Sequence, residues 1–168
     1  SRYVKQTRWW EPNAPKYTYA LTKQMELCGL TFGVVGLGKI GWHAARIAQG
    51  FGMKVISYNR HLKTGPEYDF IEQVSLDELF ARADVISLHA PLNASTRYMI
   101  NRDSIAKMKD GVILTNPARG SLVDEDARVE ALRSGKIYAA GLDVISEEPP
   151  TRPLPILLQE NATVTGHI

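Results

Sequence analysis

The residues Gly36-Leu37-Gly38-Lys39-Ile40-Gly41 form the pattern G-x-G-x-x-G. Alone the pattern is weak, because glycine-rich hexapeptides occur by chance in loops. Its context gives it meaning: a short apolar run enters it and an amphipathic stretch leaves it. In that setting each glycine has a task. Gly36 makes a tight turn, Gly38 lets the backbone approach a pyrophosphate, and Gly41 lets a helix lie close to a strand. The helix that starts here offers unpaired N–H groups and the positive end of its dipole to the phosphates. The expected ligand is a dinucleotide, with Gly36, Gly38, Lys39, Ile40 and Gly41 against it.

About 20 residues further on, a domain of this kind selects its cofactor at the end of the second strand. The residues there are Ser57-Tyr58-Asn59-Arg60. An acid would accept the ribose hydroxyls of NAD, and none is present. Arg60 could grip a 2′-phosphate in bidentate fashion, with His61 and Lys63 nearby. The expected cofactor is therefore NADP rather than NAD. The alternative is that Arg60 is a solvated loop charge and Asn59 hydrogen-bonds a ribose.

The elements that must position these residues follow from the hydrophobic pattern. Apolar runs at 31–35, 53–58, 84–88, 112–115, 138–144 and 162–165 read as strands. Between them, 39–51 has apolar residues at helical spacing: Ile40, Ala44, Ile47, Ala48 and Phe51. Ser75-Leu76-Asp77-Glu78 predicts a capping box that opens a helix to about Arg82. Further helices are expected at 101–107 and 124–133, the last stopped by Ser134-Gly135. Strands alternating with helices over short connections imply a parallel sheet covered on both faces. With right-handed crossovers this is an α/β, doubly wound, Rossmann-type fold. Residues 31–168 are read as the dinucleotide-binding domain.

Residues 1–30 differ. Trp9, Trp10, Tyr17 and Tyr19 crowd together with Pro12 and Pro15, and no period is visible. They read as an arm plus a short helix ending near Cys28-Gly29. Such aromatic residues are the kind that interfaces favour. The net charge of +2 gives no reason to expect nucleic acid or a membrane surface. No apolar run approaches a membrane span, and nothing after Ser1 resembles a signal peptide. Cys28 is the one cysteine. It reads as a small buried apolar residue, and a reducing cytoplasm is the simplest context. No metal site is expected.

Several ordered motifs carry a family resemblance. They are Val35-Gly36-Leu37-Gly38-Lys39-Ile40-Gly41, Asp84-Val85-Ile86-Ser87-Leu88-His89-Ala90-Pro91-Leu92 and Met108-Lys109-Asp110-Gly111. After them come Asn116-Pro117-Ala118-Arg119-Gly120, then Leu142-Asp143-Val144 with Glu148-Pro149, and Thr165-Gly166-His167-Ile168. From about Gly29 to Ile168 the chain resembles the nucleotide-binding domain of the D-isomer-specific 2-hydroxyacid dehydrogenases. The resemblance implies hydride transfer between a nicotinamide cofactor and a 2-oxo acid or D-2-hydroxy acid. It also implies that the arm, residues 1–30, packs on a partner subunit in a homodimer. It implies that Arg119 binds substrate, that His167 is the catalytic histidine and that Glu148 is its acid partner. Asp143 would orient the nicotinamide carboxamide. Asn116, Ala118 and Thr96 would line the cofactor near its ribose and pyrophosphate, and His89, Ala90 and Pro91 the path past the adenosine. The chemistry suits those types. Charge developing on the carbonyl oxygen must be stabilised and protonated. A histidinium can supply the proton, a carboxylate keeps it charged, and an arginine can hold a carboxylate and polarise a carbonyl together.

The sequence also departs from the family pattern. Asn59 stands for the usual acid, Gly166 for a frequent proline, and Pro117 is an unusual neighbour for the arginine. The resemblance further implies that a substrate domain, built from sequence on either side, is absent from this chain, which is expected to be part of a longer protein. Two alternatives stay open: a dinucleotide-sensing, corepressor-like binding protein, and a formate or phosphite dehydrogenase of the same fold. Glu148 argues against formate, where an amide usually stands.

Overall fold

The computed structural model describes residues 25–168. Seven strands form one sheet in the order β3-β2-β1-β4-β5-β6-β7, and every adjacent pair is parallel. The strands are β1 Thr31–Val35, β2 Lys54–Tyr58, β3 Glu72–Gln73, β4 Val85–Leu88, β5 Val112–Asn116, β6 Ile137–Leu142 and β7 Ala162–Val164. Four helices connect them: α1 Lys39–Gly50, α2 Leu76–Arg82, α3 Arg102–Lys107 and α4 Glu125–Ser134. The order reverses between β1 and β4. In open α/β sheets the crevice at the carboxyl ends of such strands is where ligands bind.

Buried residues fall into two clusters, one on each side of the sheet. Val34, Ala45, Ala48, Met53 and Val55 pack beneath α1. Leu79, Phe80, Ile86, Leu114, Leu132 and Ile137 lie in the larger cluster with α2, α3 and α4. All four residues of β4 are buried, as a central parallel strand requires.

Local chemistry sets the helix ends. Asp124 caps α4 by accepting the Ala127 N–H, and Gly135 closes it in the left-handed conformation at φ 79°. Asn101 and Ser104 form a reciprocal capping box on α3. At α2 only half of the expected box forms. Ser75 Oγ accepts the Glu78 N–H, but the Glu78 carboxylate turns to Arg82, 2.6 Å away.

One expectation, that of a buried Cys28, is corrected, and the burial of α1 is a finding of its own. The stripe on α1 is helical, yet its large residues do not face the core. Gly41, Ala45 and Ala48 do, while Ile40 and Ile47 are 72% and 63% exposed and Phe51 is exposed as well. The cause is the close approach of α1 to the sheet: a Cβ at Gly41 would lie 2.2 Å from the Gly36 carbonyl oxygen. Only small side chains fit under a helix held that tightly. Cys28 is exposed rather than buried, because it sits on the turn before β1, beside Gly52. The turn is at Cys28-Gly29, residues 25–30 carry no helix, and the rest of the segment expected to hold a short helix lies outside the described residues. The arm and its aromatic residues Trp9, Trp10, Tyr17 and Tyr19 lie outside the described residues.

Candidate functional site

The candidate residues lie at or after the carboxyl ends of the strands: in the loops that start there, in the first turn of α1 (Lys39, Ile40 and Gly41) and at the last position of β5 (Asn116). Gly36, at φ 97°, takes a conformation that favours glycine. A Cβ on it would lie 2.7 Å from the Ala90 nitrogen, so the glycine loop rests directly on the backbone that follows β4. Gly38 has the opposite surroundings. Nothing lies within 4 Å of a Cβ added there, and as the N-cap of α1 it has no side-chain cap. A Cβ would fill this open approach to unpaired helix N–H groups, which suits a pyrophosphate. The residues present therefore fit a dinucleotide.

Asn59, after β2, braces the loop. Its Oδ1 accepts the Leu37 N–H at 2.8 Å, and its Nδ2 donates to the His61 carbonyl. Asn59 and the exposed Arg60 line a cleft of about 470 Å³ with Gly36, Ala90, Pro91 and Thr96. Tyr58, Leu76, Asn93, Ser95 and Met99 complete that wall. The sequence did not single out Asn93, Ser95 and Met99, which belong to no motif, and it gave Tyr58 and Leu76 no ligand role; only the path of the chain brings them here. Thr96 Oγ1 donates to the Pro91 carbonyl at 2.6 Å and fixes the turn between them.

A second cleft of about 410 Å³ shares Ala90 and Pro91 with the first and is lined by Ile40, His89, Ala118 and Arg119. His89 Nε2 lies 2.8 Å from Ser87 Oγ, which accepts in turn from Thr115 Oγ1. Burial pushes the His89 pKa below its ordinary value of 6.5. Asn116 is fully buried beneath this loop. Its Oδ1 accepts the Ala118 N–H and its Nδ2 donates to the Arg119 carbonyl. It thereby shapes the segment that carries Arg119. The Arg119 guanidinium is exposed and donates to the Ala118 carbonyl.

Glu148 and His167 meet in a third cleft, with Ile145 and Thr165. Glu148 Oε2 lies 2.6 Å from His167 Nδ1, and Oε1 accepts the Ile145 N–H at 2.7 Å. Asp143 clamps the same segment by accepting from the Thr165 hydroxyl at 2.5 Å and from the Ile168 N–H. The Thr165 hydroxyl above all, then the Ile168 N–H, holds its carboxyl below the usual range. The structure thus joins Glu148 to His167 and places Arg119 in the second cleft, with His89 and Ile40. His43 and His61 are exposed. Among the described residues no cluster of three or more His, Cys, Asp or Glu is placed to hold a metal. No helix there is long and apolar enough to cross a membrane.

The model of the D-isomer specific 2-hydroxyacid dehydrogenase NAD binding domain matches residues 1–168. The chain belongs to that family. A hydroxypyruvate reductase of Thermotoga maritima is 50% identical over 156 residues, 91% of this chain and 50% of that protein. A D-3-phosphoglycerate dehydrogenase of Methanocaldococcus jannaschii is 47% identical over 147 residues, 86% of this chain and 28% of the relative. Among solved structures, a glyoxylate reductase from Paecilomyes thermophila superposes with a TM-score of 0.84 at 40% identity. The match covers 99% of this chain and 48% of that one. The chain therefore spans about half the length, or less, of these 2-hydroxyacid dehydrogenases. The family binds a nicotinamide cofactor, and in this chain the glycine loop and the switch-point clefts have the shape for it.

Proposed function

We propose that this chain is the cofactor-binding half of an oxidoreductase that interconverts 2-oxo acids and D-2-hydroxy acids. The observation that carries the reading is the Glu148–His167 pair at 2.6 Å, on the same sheet edge as the dinucleotide clefts. A bound nicotinamide supplies or accepts the hydride. The protein's residues do the rest. Gly36, Gly38, Gly41 and the first N–H groups of α1, from Lys39 and Ile40 onward, hold the phosphates. Ala90, Pro91 and Thr96 shape the adenosine side. His89 lies on the path past the adenosine, and Ala118 lines the cofactor near its ribose and pyrophosphate. Asn116 and Asp143 position the segments that bear Arg119 and His167. Arg119 binds the substrate carboxylate. His167 Nε2 gives its proton to the developing alkoxide, while Glu148 at Nδ1 stabilises the charged ring.

The finer cofactor reading is NADP. The Asn59 amide is engaged on both sides and presents no negative charge, and Arg60 lines the same cleft. The wider protein is read as a cytoplasmic homodimer. Its substrate is a small 2-oxo acid, with no nucleic acid or membrane partner. The test is reduction of glyoxylate, hydroxypyruvate and pyruvate by the longer protein. His167→Ala should lower the turnover rate about a hundredfold or more and leave cofactor affinity nearly unchanged. Full turnover in that variant would remove the histidine from its role.

A further inference from the structure

Among the described residues, Arg128 is the largest fully buried side chain. Its side chain is 1% exposed, and Nε and both Nη atoms lack a hydrogen-bond partner among the described residues. Its counter-charge is Glu125, three residues earlier on α4, at 3.6 Å. Burial pushes the Arg128 pKa down to about 10, with Glu125 opposing. The group therefore remains a cation at neutral pH. A lone carboxylate beyond hydrogen-bonding distance does not offset the loss of hydration. An apolar side chain of similar size would fill the space at lower cost. Stability does not account for this arginine, but position does.

Glu125 links the buried charge to the site. Its Oε2 accepts the Ser146 N–H at 3.2 Å. The preceding residue, Ile145, donates its N–H to Glu148 Oε1, and Glu148 Oε2 faces His167. On its other side the loop is flush with backbone: a Cβ at Gly120 would lie 1.8 Å from the Ile145 oxygen. Residues 145–148 are thus held between Gly120, next to Arg119, and Glu125.

We propose that Arg128 is a positioning residue: through Glu125 and the Ser146 amide it holds the loop that sets Glu148 against His167. This rests on the roles given to Glu148 and His167 above. The Glu125 side chain is 12% exposed. Without the Arg128 charge it has no counter-ion to keep it inward, and it turns to water. The Ser146 N–H is then released and the loop loses its outer anchor. Asp143, the other carboxylate beside His167, is held by Thr165 and Ile168 and does not depend on this link.

The test is nuclear magnetic resonance on the ¹⁵N-labelled chain, with Glu148→Gln as the reference for a lost carboxylate. In Arg128→Leu, amide exchange at Ile145 and Ser146 should rise about tenfold or more. The His167 ring-nitrogen signals should move toward those of Glu148→Gln. The urea midpoint should be no lower than that of the native chain, and Arg128→Lys should restore the native ring signals in large part. Glu125→Gln, which keeps the shape and removes the charge, should reproduce the same changes even if Arg128→Leu does not fold. Unchanged exchange and ring signals in the folded variants overturn the proposal. So does a uniform rise in exchange over the whole chain, which a purely structural role would give. If Glu148→Gln itself leaves the ring signals unmoved, the Glu148–His167 pairing is what fails, and the proposal fails with it. If only the Arg128 and Glu125 variants are silent, the functional reading stands.

Discussion

Single residues divide into those that meet a ligand and those that hold another residue in place. On the proposed reading Asn59 does both: its carbonyl oxygen accepts the Leu37 N–H while its side chain lines the first cleft. Asn59→Asp adds a charge at that point and Arg60→Ala removes one. The double substitution should move the NADPH-to-NADH ratio of catalytic efficiency in the longer protein toward NADH by about tenfold or more. An unmodified protein that already favours NADH would make Arg60 a bystander. His89 gives a prediction about stability. Its pKa is lowered by burial, so below about pH 6.5 the unfolded chain takes up a proton that the folded chain refuses. Stability rises with pH through the window from the lowered value to 6.5 and levels off above it. The urea midpoint should therefore fall more between pH 7 and pH 5 for the native chain than for His89→Gln. Parallel slopes would refute this. Asp143 and Glu147, both held low by hydrogen bonds, lose their contribution only as pH falls below the ordinary carboxylate range. The glycine loop was legible in the sequence because a positive φ at Gly36 and the contact at Gly41 leave few other residues possible. The bracing role of Glu125 was not, because its Ser146 partner lies 21 residues away across a loop whose course no local pattern records. Asn116 was read as lining the cofactor, and its contacts with Ala118 and Arg119 depend on the bend of a turn that carries no periodic pattern.

At the scale of elements, α1 shows what periodicity can and cannot tell. Its spacing gave the helix correctly, to within one residue at the C-terminal end. It did not say which face would be buried, because that depends on how near the helix lies to the sheet. The consequence is a pair of contrasting substitutions. Ala45→Leu should destabilise the chain by about 1–3 kcal/mol, since nothing beneath α1 can yield to a larger side chain. Ile47→Ser, on the exposed face, should change stability by less than about 0.5 kcal/mol. Urea unfolding of both variants checks the assignment, and a larger loss at Ile47 would mean that the stripe is covered. β3 escaped the sequence reading because two residues, Glu72 and Gln73, are too few to show an alternation. The strands from β4 to β6 were legible as apolar runs bounded by turn residues, with their ends off by one or two positions.

For the whole molecule, the carboxyl edge of the sheet gathers the glycine loop, Arg119 and the Glu148–His167 pair. The chain on its own should bind a nicotinamide dinucleotide with measurable affinity by calorimetry and should reduce no 2-oxo acid. No second wall among the described residues closes over Arg119 and His167 to exclude water. Clear reduction by the chain alone would show that no further domain is needed. The strand order has one more effect, on timing. The backbone that shapes the phosphate loop is encoded by residue 90, where Ala90 meets Gly36. The pairing of Glu148 with His167 waits for the far end. The 78 residues from Pro91 to Ile168 take roughly 4–16 s to synthesise. On the ribosome, the residues that shape the phosphate loop are therefore written seconds before the Glu148–His167 pair can form.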